Sequence, residues 1–183
     1  MATFFHVNGL KGMKRQLAAG LRTGGSGSPV RAMLRQWGTR YARQVRSDFD
    51  RNSKGGGDWQ RLRPSTVRGR RKGGARRGGV TRVRGKRQRR SAILVDTGLL
   101  KAGLRRGQPG NLFRDVPRGI RVGFTENRHP GGKSYAQIAD YHHRGAGRLP
   151  RRRIFRKPDS TTAQGMKRDA RGALRRMMRE NAS

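Results

Sequence analysis

The sequence predicts an α+β fold: a small antiparallel sheet packed with a long N-terminal helix and a C-terminal helix, plus a long basic loop or arm. Three observations lead there. Apolar residues recur at steps of three and four after Pro29 and again after Pro158, and they alternate with a period of two around Ile120 to Phe124. Between these stretches lies a run of Lys, Arg and Gly with almost no apolar side chains. Helices beside a short antiparallel pair bury their apolar faces against a common layer, which is the α+β solution. At 183 residues the chain is expected to form one domain, spanning 1–183, with residues 61–92 as a basic Gly/Arg-rich excursion within it.

Taken in order, residues 2–7, ATFFHV, are β-prone and end at Asn8-Gly9, so they read as a short strand. Leu10, Met13, Leu17 and Leu21 follow at helical spacing, and Thr23 to Gly27 break the pattern. Ser28 is a good N-cap and Pro29 suits the first helical position, where its missing N–H costs nothing. The stripe Val30, Met33, Leu34, Trp37, Tyr41, Val45, Phe49 predicts a helix over 29–50, with Trp37 and Tyr41 as core residues. Glycines 55 to 57 end it, and Trp59 and Leu62 return to the core as an apolar anchor.

Residues 61–90 hold 14 Lys or Arg and no Asp or Glu, which leaves +22 of the net +36 for the rest of the chain. So few apolar groups cannot offset the entropy of ordering, and the stretch reads as an arm or long loop. Two readings stand for it: a solvated charge run, or a contact with nucleic acid. Ile93 to Val95 then form a β-branched run, and Asp96-Thr97-Gly98 turn into a short helix with Leu99, Leu100 and Leu104 on one side. Residues 112–124 read as strand, turn at Pro117 to Gly119, and strand. Residues 135–143 are a short helical or turn segment, and Pro150 to Lys157 a basic extended piece around Ile154 and Phe155. A final helix begins near Pro158-Asp159, where Thr161 and Gln164 match the capping-box pattern; Ala163, Met166, Ala170, Ala173, Leu174 and Met177 repeat at helical spacing.

A net charge of +36 lies far above the roughly 2 to 8 usual for a small domain. Self-repulsion of that size calls for a polyanion, and double-stranded DNA bound through non-specific phosphate contacts is the expected partner, because phosphate neutralisation releases counterions. An anionic membrane is disfavoured, since no stretch nears the roughly 20 apolar residues of a span and no secretory signal opens the chain. The candidate contacts are Arg68, Arg70, Arg71, Lys72, Arg76, Arg77, Arg82, Arg84, Lys86, Arg87, Arg89 and Arg90, with Arg151, Arg152 and Arg153 beyond them.

Catalytic chemistry finds little support. Without Cys there are no disulfides, thiolate zinc sites or thiol nucleophiles. His142 and His143 are adjacent and point apart on a helix or a strand, unlike a chelating pair at i, i+4. Asp48, Asp50 and Asp58 are the nearest approach to a carboxylate cluster, and in so basic a field they are expected to pair with Arg or cap a turn. No nucleophile elbow, phosphate loop or zinc-finger spacing is present. The chain is expected to be no enzyme, with no cofactor and no metal.

Several features in order resemble one family. The amphipathic helix ending at Phe49 is followed by Gly57-Asp58-Trp59, Leu62, Pro64-Ser65-Thr66, then Ile93 to Leu100 with Asp96-Thr97-Gly98-Leu99 inside it. Next come Tyr135-Ala136, His142 or His143 with Gly145, and Leu149-Pro150-Arg151-Arg152 before a terminal helix. This order is similar to the Mu-type phage virion morphogenesis proteins, related to the tail-completion and neck (head-tail connector) proteins of tailed bacteriophages. It departs from their pattern in the wider spacing from Tyr135 to His142 and in the long basic excursion. The resemblance implies a structural, non-catalytic part of the virion neck, made in the host cytoplasm. It also implies a homo-oligomeric ring joined to other neck, portal or tail proteins around the DNA channel. Trp59, Leu62, Asp96, Thr97, Gly98, Leu99, Tyr135, Ala136, His142, Gly145 and Pro150 would then be architectural. The alternative is a ribosomal or other architectural nucleic-acid-binding protein, whose basic arm threads folded RNA or coats DNA.

Overall fold

The computed structural model describes residues 28–65, 98–116, 119–128, 132–146 and 149–180, and they form an α+β fold. The element order is α1 (Pro29–Ser53), α2 (Leu99–Ala102), β1 (Asn111–Val116), β2 (Gly119–Phe124), α3 (Tyr135–Arg144) and α4 (Ser160–Glu180). β1 and β2 pair as a two-stranded antiparallel sheet. The expected strand at 2–7, the helix around 10–21, the run Ile93 to Thr97 and the excursion beyond Ser65 lie outside the described residues. No described helix is long and apolar enough to cross a membrane.

The described residues gather into two compact units. One comprises 28–44, 113–116, 119–122 and 157–180. Here the expected stripe of α1 is buried at Val30, Met33, Trp37 and Tyr41, and Ser28 Oγ accepts from the Arg31 amide at 3.3 Å as the N-cap. Met166, Ala170 and Ala173 of α4 are buried in the same unit. The Trp37 indole N–H donates to the Met166 carbonyl at 2.9 Å, so the largest apolar side chain of the stripe also satisfies its one polar group. Gly38 gives the other side of α1 its close approach to the hairpin: a Cβ there would stand 2.8 Å from Ile120 Cγ2.

Gln44, also buried, fixes the entry to α4. Its Nε2 donates to the Lys157 carbonyl at 3.2 Å and its Oε1 accepts from the Asp159 amide at 3.1 Å. The cap of α4 is Asp159, whose Oδ1 accepts from the Thr162 amide at 2.7 Å; the expected box at Thr161 and Gln164 does not form, because the helix is already under way at Ser160. Asp159→Ala is expected to cost about 1 kcal/mol, the usual worth of such a cap, read as a lowered midpoint in thermal or urea unfolding.

The other unit comprises 45–65, 98–112, 123–128, 132–146 and 149–156. The final turns of α1 bring in Val45 and Phe49, and the helix runs three residues past the expected end, to Ser53. Trp59 packs edge-on against Phe49 with ring centroids 5.1 Å apart, and Phe124 meets Phe155 at 5.7 Å. Leu100, Leu104, Tyr135, Ala139 and Ile154 complete this core. As expected, the near cluster of carboxylates is spent on cations: Asp48 pairs with Arg51, Asp50 with Lys101 and Asp58 with Arg156.

Candidate nucleic-acid and partner interface

Most of the described motif residues lie in the second unit. Trp59 is 4% exposed and its indole N–H reaches the Arg153 carbonyl at 3.3 Å, tying positions 94 residues apart. Leu62 is half-buried rather than a full core residue. Gly98 caps α2 in the left-handed region, and Leu99 is the first residue of that helix; Asp96 and Thr97 lie outside the described residues.

From Tyr135 to Arg152 the chain closes on itself. The Tyr135 and Ala136 amides donate to the carbonyls of Asn127 and Thr125, at 3.1 and 3.0 Å. Before them, Ser134 and Gln137 form a reciprocal capping box, and the Ser134 hydroxyl also donates to Glu126 at 2.8 Å. Gly145 ends α3 at φ +77, where a Cβ would lie 3.0 Å from the Arg151 amide nitrogen. Glycine therefore lets the extended segment that follows Pro150 return alongside the helix, and the Arg152 amide donates to the His142 carbonyl at 2.7 Å.

That return sorts the three candidate arginines. In an extended segment successive side chains face opposite ways. Arg151 and Arg153 are exposed, whereas Arg152 shares the inward side with Ile154 and is 4% exposed. Arg152 is thus corrected from a surface contact to a buried cation, while Arg153 and Arg151, whose Nε donates to the His143 carbonyl at 3.4 Å, stay on the exposed side. The other candidate contacts, Arg68 to Arg90, lie outside the described residues. The arginines of α4, which lie opposite or beside its apolar stripe, are not among those candidates.

The histidines add a pH dependence. Burial, and secondly the Arg152 guanidinium, push His142 down from 6.5 to about 4. His143 is lowered as well, by burial first and then by Arg151 and Arg153, against an opposing pull from Asp140. Because the folded value lies below the unfolded one, the unfolded chain takes up the proton first. The contribution is whole above pH 6.5 and is lost as pH falls towards 4. Discounted for the ring's partial exposure, it amounts to about 1–2 kcal/mol. Urea titrations between pH 7 and 4.5 are expected to show that loss, and His142→Asn should flatten it.

Among the described residues no group of three or more His, Asp or Glu could hold a metal ion. Comparison of the chain with protein-family models, with curated proteins and with solved structures finds no match.

Proposed function

We propose that this chain is a structural component of the tailed-phage head-to-tail junction, a neck or tail-completion protein that forms a ring and joins head and tail around the DNA channel. The observation that carries the reading is the convergence of the motif residues. Trp59, Tyr135 and Gly145, distant in sequence, each have an architectural task in one unit, and Pro150 lies in the same unit. Such residues do the same work in any ring subunit: they fix a rigid body whose outer faces meet neighbours. The charge supports a place beside the genome, since +36 needs a polyanion nearby. In this reading the protein is no enzyme, needs no cofactor and resides in the virion.

The test is assembly. Particles made without the chain should accumulate as separate DNA-filled heads and tails, and supplying the chain should join them; intact, infectious particles without it would overturn the proposal. The charge also favours an RNA-binding architectural protein as a second reading. Co-sedimentation with ribosomes through high-salt cushions would favour that one.

A further inference from the structure

The helix α4 spends its exposed face in an unusual way. Met166, Ala170 and Ala173 are buried on one side, and Arg168, Arg171, Arg175 and Arg176 are exposed on or beside the opposite one. None of these four arginines has a hydrogen bond or ion pair among the described residues. At 1.5 Å of rise per residue they cover about 12 Å of helix. Arginines spaced three and four apart repel one another by a few tenths of a kcal/mol per pair. A solvated helix relieves that with Glu at the neighbouring turn, but the only acids of α4 are Asp169 and Glu180. Asp169 is already engaged, accepting from Arg40 Nε at 2.7 Å and Arg40 Nη2 at 3.1 Å. The helix dipole explains cations in the last turn only, not Arg168 or Arg171.

A second observation is independent of charge. Gly172 stands in the middle of α4, among these arginines, where glycine costs about 1 kcal/mol relative to alanine. Nothing within the described chain requires it: a Cβ there would meet no atom within 4 Å. It instead lines an open cleft of about 350 Å³ together with Arg168, Arg175, Arg176, Arg179, the already paired Asp169 and, from α1, Gln36. A missing side chain that packing does not need leaves room for something outside the chain to come close to the helix.

We infer that this arginine face of α4, with the cleft that Gly172 lines, is a docking surface for the phosphate backbone of duplex DNA. Arginine forks hold phosphate oxygens two at a time, and Gln36 adds a neutral donor. Duplex DNA presents one phosphate per about 1.7 Å of axis, so a face of this length meets several at once. The cleft offers no aromatic ring on which unstacked bases could lie, which separates this surface from a single-strand platform. Phosphate contacts position a duplex without reading its sequence.

The inference rests on the reading of DNA as the partner, and its test is separate from ring formation. Binding of the full chain to a mixed-sequence 30-base-pair duplex is followed by fluorescence anisotropy across a sodium chloride series. Replacing Arg168, Arg171, Arg175 and Arg176 with Gln should flatten the slope of log affinity against log salt by about 3 to 4. A control replacing Lys54, Arg105, Arg114 and Arg128, all exposed, removes equal charge elsewhere and should change it by about 1 or less. Gly172→Leu should raise the thermal midpoint yet weaken binding, a combination that a purely structural glycine would not give. Equal flattening in both charge variants, no flattening in the first, or tighter binding of structured RNA than of the duplex at the same salt would overturn the assignment. Rings that form while the slope is unchanged would refute only this surface; a changed slope in a strictly monomeric protein would refute only the junction.

Discussion

Replacing Trp59 with Ala is expected to destabilise its unit by about 3–5 kcal/mol, the range for deleting a buried large aromatic. The side chain is 4% exposed and sits edge-on against Phe49, itself 1% exposed, so truncation leaves a cavity lined by an aromatic face. It also removes the donor to the Arg153 carbonyl, leaving that acceptor to find another partner. The loss weighs heavily because apolar residues make up only 31% of the chain and alternative packing is scarce. In calorimetry the midpoint should fall by about 10 °C or more. Trp59→Phe keeps the edge contact and forfeits the hydrogen bond, so it should lose less than half as much. A Trp59→Ala change below about 1 kcal/mol would remove Trp59 from the core.

Gly110→Ala should be nearly as damaging, for two reasons that can be measured apart. Gly110 has φ +87, where an L side chain costs about 1–2 kcal/mol. A Cβ there would also stand 2.6 Å from Tyr135 Cγ and Cδ1, and Tyr135 is 3% exposed and cannot swing into solvent. Overpacking of this kind adds about 1–3 kcal/mol. Gly107 supplies the comparison: its φ is +79 but nothing lies within 4 Å, so Gly107→Ala reports the backbone cost alone. Urea unfolding of both variants should place Gly110→Ala clearly below Gly107→Ala. Equal losses would mean that the ring of Tyr135 yields.

What was legible in the sequence was periodicity. The stripe from Val30 to Phe49 and the alternation at Ile120 to Phe124 each follow from one repeating geometry, and both elements form where those repeats predict. Local chemistry was half legible. Ser134 and Gln137 have the spacing of a capping box and form one, whereas Thr161 and Gln164 have the same spacing and do not. Asp159, two residues earlier, captured the start of α4 because Gln44 already holds its backbone. The same lesson applies to Arg152: two residues before the apolar Ile154 in an extended segment, it shares the inward side, and charge alone placed it outward. The ion pairs lay beyond reading. Arg40 with Asp169 and Asp58 with Arg156 join residues 129 and 98 positions apart, and only tertiary folding decides which of the many arginines each of the few acids finds.

The arginine face of α4 falls between these cases. Its spacing could be read, since Arg168, Arg171 and Arg175 lie opposite Met166, Ala170 and Ala173 on a helical wheel. Its lack of partners among the described residues could not, because that depends on Asp169 turning to Arg40. Among the described residues, some arginines are spent on carboxylates or carbonyls, Arg152 is buried, and Arg168, Arg171, Arg175 and Arg176 are exposed with no hydrogen bond or ion pair to another described residue.

The measurement that tests the central claim most directly is the assembly state of the purified full chain, by native mass spectrometry together with electron microscopy of the same sample, with and without duplex DNA. A junction protein should give one closed oligomer with a central opening, its mass an integral multiple of 20.5 kDa. A strictly monomeric protein under both conditions, absent also from purified particles, would contradict the account.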